Sequence, residues 1–424
     1  MAEAGDKVRI TTKDEKIEGT MMPSENADVI MVKLDSGYNI GIDKSRVKEI
    51  KSLGKTEKKD TAKKKPETRK GLKRIVVLHT GGTIASKVDY STGAVTAKFS
   101  AEDLIGMFPE LDDIANIETE LVANMMSEDM NFEDHQKIAV AVKKHAEKGA
   151  DGIIIGHGTD TLGYTSAALA FMFEKINIPV LIVGSQKSSD RPSSDAGMNL
   201  ICAAKFITNT GFRGIAACMH HHSSDDKCAI LPATKTRKMH TSRRDAFRAV
   251  NDDPIALVDH RTGKIEFNKE QDSKEKNILL KDRMSNEVGL LKVHPGISTE
   301  LFQHYADNYK GIVIEGTGLG HAPTNTPENQ KNYEILKKYI REGGIVAIAS
   351  QCLYGRVHPF VYTNLRRLHD IGCIFCGDML PETAFIKLAW LLGNYSPDEA
   401  KEMMAKNLRG EITERTEYDQ DFPE

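Results

Sequence analysis

The 424-residue sequence has no apolar run long enough to cross a bilayer, and its opening "MAEAGDKVRITTKDEK" has no apolar core of the kind a secretion signal needs. The expected setting is cytoplasmic, with no membrane contact. Cysteine is sparse, six in all (Cys202, Cys218, Cys228, Cys352, Cys373, Cys376), which excludes a disulfide scaffold and suits reduced thiols. No G-x-x-x-x-G-K-[ST] run occurs, so an ATP-binding loop of that kind is excluded. The G-x-G-x-x-G dinucleotide fingerprint is also missing. "GTGLGH" at 316–321 resembles it superficially, but "APTNTPEN" follows, with Thr326 and Pro327 predicting a helix start, so the segment reads as a tight turn. A net charge of −3 leaves no global field for a nucleic acid.

Metal chemistry is not expected either. "CMHHHSSDDKC" sets three adjacent histidines between Cys218 and Cys228, but zinc sites favour spaced ligands, and neighbouring strand residues point to opposite faces. "CIFC" at 373–376 is a single CxxC in an apolar run without a helix start to lower a thiol pKa, so it reads as two buried thiols.

What is present falls into three regimes. Residues 1–50 hold short β-rich runs ("KVRITT", "IEGTMM", "DVIMVKL", "YNIGI", "VKEI") with a turn signal "DSG" at 35–37, predicting a small β-barrel of about five strands. Residues 51–73 are lysine-rich without an apolar period, predicting a solvated linker that could meet RNA or a partner only by charge. From residue 74, β-branched strands such as "RIVVLHT", "DGIIIGH", "VLIVGS", "GIVIEGT" and "GIVAIAS" alternate with helical patterns such as "DHQKIAVAVKKHAEKG". Continuous apolar strands between helices predict parallel sheets buried on both faces, hence α/β architecture. A charged stretch near 261–287 divides it, giving α/β domains over 74–265 and 288–424 joined by a connector, 266–287. The apolar residues of "TAFIKLAWLLG", Trp390 included, read as core.

Two strand ends carry the chemistry. "HTGGTIA" and "HGTDT" each close a β-branched run with glycines and hydroxyls: Thr80, Thr83, Thr159 and Thr161, with one carboxylate at Asp160. Ligands of open α/β sheets bind beyond such ends, where helix N-termini leave amides free, and glycine lets the backbone come close. Capping of the next helix is the plainer role for these residues. Threonine is a weak nucleophile and needs a base. Lys238, in "TKTRKMHTSRRDAF" beside Arg237, could supply one if desolvation lowered its pKa.

"TGGTIAS" together with "HGTDT" resembles the paired signature of the L-asparaginase family of amidohydrolases. Lys238 ahead of "DAF" is similar to that family's third motif, and Ser127 in "MMSEDMNF" to its substrate-clamping turn. The likeness runs from about Arg74 to "GDMLPETAFIKLAWLLG". It implies two α/β domains, active sites formed at a homodimer interface, and hydrolysis of a carboxamide through an acyl-enzyme carried by one of the threonines. Thr83 is then the primary nucleophile. Thr159, Asp160 and Lys238 form the second catalytic group, and Tyr90 sits on a lid. Ser127 and Asp160 hold the substrate's α-carboxylate and α-ammonium, with Glu128 suited by charge to the ammonium.

Simple asparaginases lack the barrel and lysine-rich linker. These, with "SQCLYGRVHPFVYTNLRRL", resemble the D subunits of archaeal glutamyl-tRNA(Gln) amidotransferases. That resemblance implies a glutaminase, using glutamine or asparagine, in a heterotetramer with a GatE-like kinase/transamidase partner that also handles tRNA(Gln). ATP and Mg are expected on the partner alone, and no cofactor or metal in this chain. A stand-alone asparaginase and a non-catalytic RNA- or subunit-binding scaffold are the alternatives.

Overall fold

A computed structural model describes residues 5–13, 15–22, 24, 28–33, 39–55, 69–81, 87–88, 95–96, 107–187, 194–269 and 274–416. The N-terminal unit is built from β1 (Asp6–Thr12), β2 (Lys16–Met22), β3 (Val29–Lys33), β4 (Asn39–Asp43) and β5 (Val47–Lys55), all antiparallel neighbours in the order β4-β3-β2-β1-β5. Period-two alternation turns Val8 and Ile10 inward against Ile30, Val32 and Ile42. The expected five strands are present as one antiparallel sheet, and among the described residues no pairing of β4 with β5 is seen. β5 runs on to Lys55, past the expected boundary at 50. At the far end of the expected linker the chain is pinned. The Asn116 side chain donates to the Arg69 and Leu72 carbonyls and accepts from the Arg69 amide. The stretch between, 56–68, lies outside the described residues.

The next domain places β6 (Arg74–His79), β7 (Asn116–Leu121), β8 (Gly152–Gly156), β9 (Pro179–Val183) and β10 (Gly214–His220) in parallel, in the order β7-β6-β8-β9-β10. β11 (Lys227–Pro232) turns back antiparallel, and β12 (Thr236–Lys238) and β13 (Phe247–Ala249) form a separate hairpin. β14 (Ala256–Asp259) and β15 (Ile265–Phe267) then extend the sheet antiparallel to its edge. Helices α1 (Glu110–Ile114), α2 (Phe132–Glu147), α3 (Leu162–Met172) and α4 (Ala196–Asn209) cover the faces. Alternate strand residues explain the continuous apolar runs: Val76, Leu78, Ile153 and Ile155 pack towards α2 and α3, while Ile75, Val77 and Ile154 pack towards α4.

In the second α/β domain β16 (Val288–Lys292), β17 (Gly311–Gly316), β18 (Ile345–Ser350) and β19 (Ile374–Phe375) are parallel and adjacent in chain order. Helix α5 (Thr299–Asn308) precedes β17, and α6 (Gln330–Arg341) starts later than the Thr326 cap predicted. The Thr326 carbonyl instead accepts from the Gln330 amide in a turn before the helix. Helix α7 (Thr363–Asp370) precedes β19, whose flanking thiols Cys373 and Cys376 are buried; burial pushes Cys376 up to about 12. Helix α8 (Pro381–Asn394) carries Trp390, fully buried and stacked on Phe171 of α3, so this side chain glues the domains together. The connector is also docked, with Leu279–Leu280 pairing antiparallel to Phe173–Lys175. A buried ion pair, Lys235 Nζ to Asp378 Oδ2 at 2.7 Å, crosses the same seam.

Candidate active site

Parallel register puts the carboxyl ends of β6 and β8 side by side, with His79 opposite Gly156. "HTGG" and "HGTD" therefore emerge together from neighbouring strands. Thr80 locks them: its amide and hydroxyl donate to the Gly156 carbonyl at 3.1 and 3.0 Å. Being buried and committed to that bond, the Thr80 hydroxyl is a structural tie and not a ligand contact. Gly81 follows at φ 102, where a Cβ would meet the Met125 backbone nitrogen at 2.7 Å. Only glycine fits. Thr83 and Tyr90 lie outside the described residues.

At the second turn, Lys238 Nζ donates to Thr159 Oγ1 at 2.9 Å and to Asp160 Oδ1 at 2.8 Å. The lysine reaches this point because β12 packs on the first turn of α3. A Cβ at Gly163 would sit 2.8 Å from the Thr236 carbonyl, so glycine there permits the approach. Gly184, at the end of β9, likewise leaves room for the Thr159 methyl, which a Cβ would meet at 2.9 Å. The Lys238 side chain is only 16% exposed, whereas that of Asp160 is 65% exposed and faces solvent. A hydroxyl, a carboxylate and an ammonium group thus meet at the N-terminus of α3, where unpaired amides favour an anion. Beside Lys238, Arg237 approaches Glu382 of α8 at 3.2 Å; burial pushes the Glu382 carboxyl up despite that arginine.

Simple capping does not account for this turn. Thr161 occupies the cap position, but its hydroxyl makes no bond to the helix amides and donates to the Ser127 carbonyl at 2.7 Å. That bond carries the Ser127–Asp129 turn to the site: Ser127 is buried against Gly158, where a Cβ would sit 2.8 Å from Ser127 Oγ. Glu128 is exposed on the same turn. Of the residues expected at the site, the fold therefore brings Thr159, Asp160, Lys238 and Ser127 together, with Glu128 at the rim.

Over 417 residues the chain is 46% identical to the glutamyl-tRNA(Gln) amidotransferase D subunit of Methanococcus maripaludis, covering 97% of this chain and 98% of the relative. Its counterpart from Pyrococcus furiosus is 47% identical over 427 residues, covering 98% and 96%. The chain belongs to the family of glutamyl-tRNA(Gln) amidotransferase D subunits. Its parts match accordingly: residues 2–53 the GatD N-terminal domain, 74–273 Asparaginase, N-terminal, and 287–404 the Glutaminase/Asparaginase C-terminal domain. Among solved structures, the thermostable L-asparaginase from Thermococcus kodakarensis superposes with a TM-score of 0.73 at 34% identity, covering 80% of this chain and 99% of that one. L-asparaginase I from Vibrio cholerae gives 0.70 at 30% identity, covering 81% and 99%. The two α/β domains are thus an asparaginase-like pair, with an additional N-terminal β unit.

Several site-building residues escape sequence reading. Thr161 is visible as a hydroxyl but not as the tie to Ser127. Gly163 and Gly184 matter only for what approaches them from distant segments. Lys235, three residues before Lys238, looks like one more surface lysine in a basic run, yet it is fully buried. Among the described residues no cluster of histidine, cysteine or carboxylate side chains could hold a metal, and no helix is long and apolar enough to cross a membrane. His220 is buried and bonded to Asn199 at 2.7 Å, while His222 is exposed.

Proposed function

We propose that the chain is the glutaminase subunit of a cytoplasmic tRNA-dependent amidotransferase. What carries this reading is Lys238 bonded to both Thr159 and Asp160, in a chain that aligns over 97% of its length with amidotransferase D subunits. A threonine hydroxyl attacks the side-chain amide carbon of glutamine, the C–N bond breaks, and ammonia leaves with the proton the nucleophile gave up. Water then cleaves the ester to release glutamate. Thr83 is the primary nucleophile and Tyr90 its lid partner. Lys238 and Asp160 polarise the Thr159 hydroxyl or the attacking water, and free amides stabilise the oxyanion. Ser127, Asp160 and Glu128 hold the α-carboxylate and α-ammonium groups.

Ammonia must stay unprotonated, so it passes under a closed lid to a GatE-like partner that uses ATP and Mg to activate and amidate glutamate on tRNA(Gln). This chain itself takes no cofactor. It pairs with a second copy through the asparaginase-like domains, and the exposed run Phe360, Val361 and Tyr362 is apolar surface of the kind a subunit contact covers. The test is ammonia release from glutamine and from asparagine, with and without the partner and tRNA. Release from glutamine that rises with both present is expected, and is lost in Thr83→Ala while the complex still assembles. Equal, partner-independent turnover of asparagine would instead make the chain a stand-alone asparaginase.

A further inference from the structure

Directly behind the Gly158–Asp160 turn runs a line of buried polar groups that the chemistry above does not use. His157 is fully buried, with Nδ1 2.6 Å from the Gly158 carbonyl and Nε2 2.8 Å from Thr165 Oγ1. The Thr165 hydroxyl also lies 3.1 Å from His135 Nε2, on α2. The Met130 sulfur flanks the line, 3.2 Å from His157 Nε2 and 3.5 Å from Thr165 Oγ1. His135 Nδ1 is buried without a partner.

The protons on this line can be placed by elimination. A carbonyl oxygen only accepts, so His157 Nδ1 bears a proton. Burial pushes His157 down to about 4 and His135 to about 3, so at neutral pH each ring holds a single proton. His157 Nε2 is then bare, and the Thr165 hydroxyl donates to it. The Thr165 oxygen accepts in turn from His135 Nε2–H, which leaves His135 Nδ1 bare, the same atom that has no partner. Every donor points one way, from α2 towards the Gly158 carbonyl.

We propose that His157 is a positioning residue for the active-site turn. Its Nδ1–H fixes the Gly158–Thr159 peptide, and Thr165 and His135 hold the imidazole in the one tautomer that can do so. The inference rests on Thr159 being an active-site group. Residue 158 must be glycine because Ser127 crowds it, and glycine is the backbone position with most freedom to move. Support from behind supplies what the sequence there cannot. A turn that drifts by about 1 Å carries the Thr159 hydroxyl away from Lys238, a displacement of the size that costs roughly 100-fold in rate.

In the full-length protein, His157→Asn keeps an amide nitrogen where Nδ1 stands, while His157→Leu keeps none. With ammonia release as the readout, His157→Leu should lose about 10- to 100-fold in kcat with KM within about twofold, and His157→Asn should recover most of the loss. Thr165→Val should fall between them, and Thr165→Ser should recover from it. Nitrogen-15 NMR of the imidazoles should show the Nδ1–H tautomer at His157, with Nε2–H gaining in Thr165→Val. If Thr159→Ala is inactive while a folded His157→Leu matches the parent, or His157→Asn is as impaired as His157→Leu, the positioning role is overturned. A parent protein with the Nε2–H tautomer overturns it whether or not any variant folds. An active Thr159→Ala instead overturns the reading on which the inference rests.

Discussion

Lys238 and Thr159, far apart in the chain, meet at 2.9 Å, with Asp160 closing the group at 2.8 Å from the same nitrogen. Both bonds of the ammonium group go to this turn, and neither holds the fold together. Replacing the lysine therefore removes chemistry while leaving packing nearly intact. Lys238→Met should lower ammonia release by about 10²–10³-fold, the range for a lost electrostatic hydrogen-bond donor, with an unchanged circular dichroism spectrum and melting temperature. Lys238→Arg should not restore activity, because a planar guanidinium fork cannot take the place of a compact ammonium group donating to Thr159 and Asp160. Substantial activity in either variant would remove Lys238 from the catalytic group.

Lys235, on the same hairpin, does a different job. It is fully buried against Asp378 at 2.7 Å, and Asp378 also accepts from the Thr413 amide and hydroxyl. Burial opposes ionisation of Asp378, but these donors outweigh it and hold the carboxyl below its ordinary range. Removing one partner leaves an uncompensated charge at the seam between domains. Lys235→Met or Asp378→Asn alone should cost about 3–5 kcal/mol in chemical denaturation, and the two together less than the sum. Additive losses would show that the pair is not coupled.

Much of this was legible in the sequence, and the rest was not, for physical reasons. The parallel strands announce themselves because both faces are buried: "GIIIG" in β8 has no exposed residue. β7, "NIETEL", escaped because an edge strand with one solvated face reads as polar. The antiparallel edge strand β15 was hidden in the charged stretch for the same reason. The threonine and lysine motifs were readable because the chemistry demands those residue types. What holds them was not: Gly163 faces a carbonyl more than 70 residues away in sequence, and composition does not separate Lys235, fully buried in the domain seam, from Lys238 three residues on, which reaches the site.

Three buried histidines make the fold acid-sensitive. Burial pushes His79 and His157 down to about 4 and His135 to about 3. Unfolded, each takes a proton near pH ~6.5. As pH falls from about 6.5 to about 4 the unfolded chain therefore binds more protons than the folded one, and stability is lost over that window. Each histidine contributes up to about 1.4 kcal/mol per pH unit. His79 also has both ring nitrogens buried without a partner. His79→Leu should thus raise the unfolding free energy by about 1–3 kcal/mol near neutral pH and flatten its pH dependence by one proton. An unchanged slope would mean that His79 titrates normally in the folded protein.

Gly163 tests how closely the lysine strand must approach. It lies in the first turn of α3, where alanine is intrinsically the better helix former by about 1 kcal/mol. On propensity alone Gly163→Ala should stabilise. The added methyl, however, would stand 2.8 Å from the Thr236 carbonyl, and a backbone atom in β12 cannot swing aside as a flexible side chain can. The strand must shift outward, and Lys238, two residues on, shifts with it, away from Thr159. Gly163→Ala should therefore lower kcat by roughly 10-fold or more while KM changes little, with Lys238→Met showing no further loss when combined with it beyond its own. A Gly163→Ala protein that is more stable and fully active would mean that β12 can move without moving the ammonium group, and that the Lys238–Thr159 distance is set elsewhere.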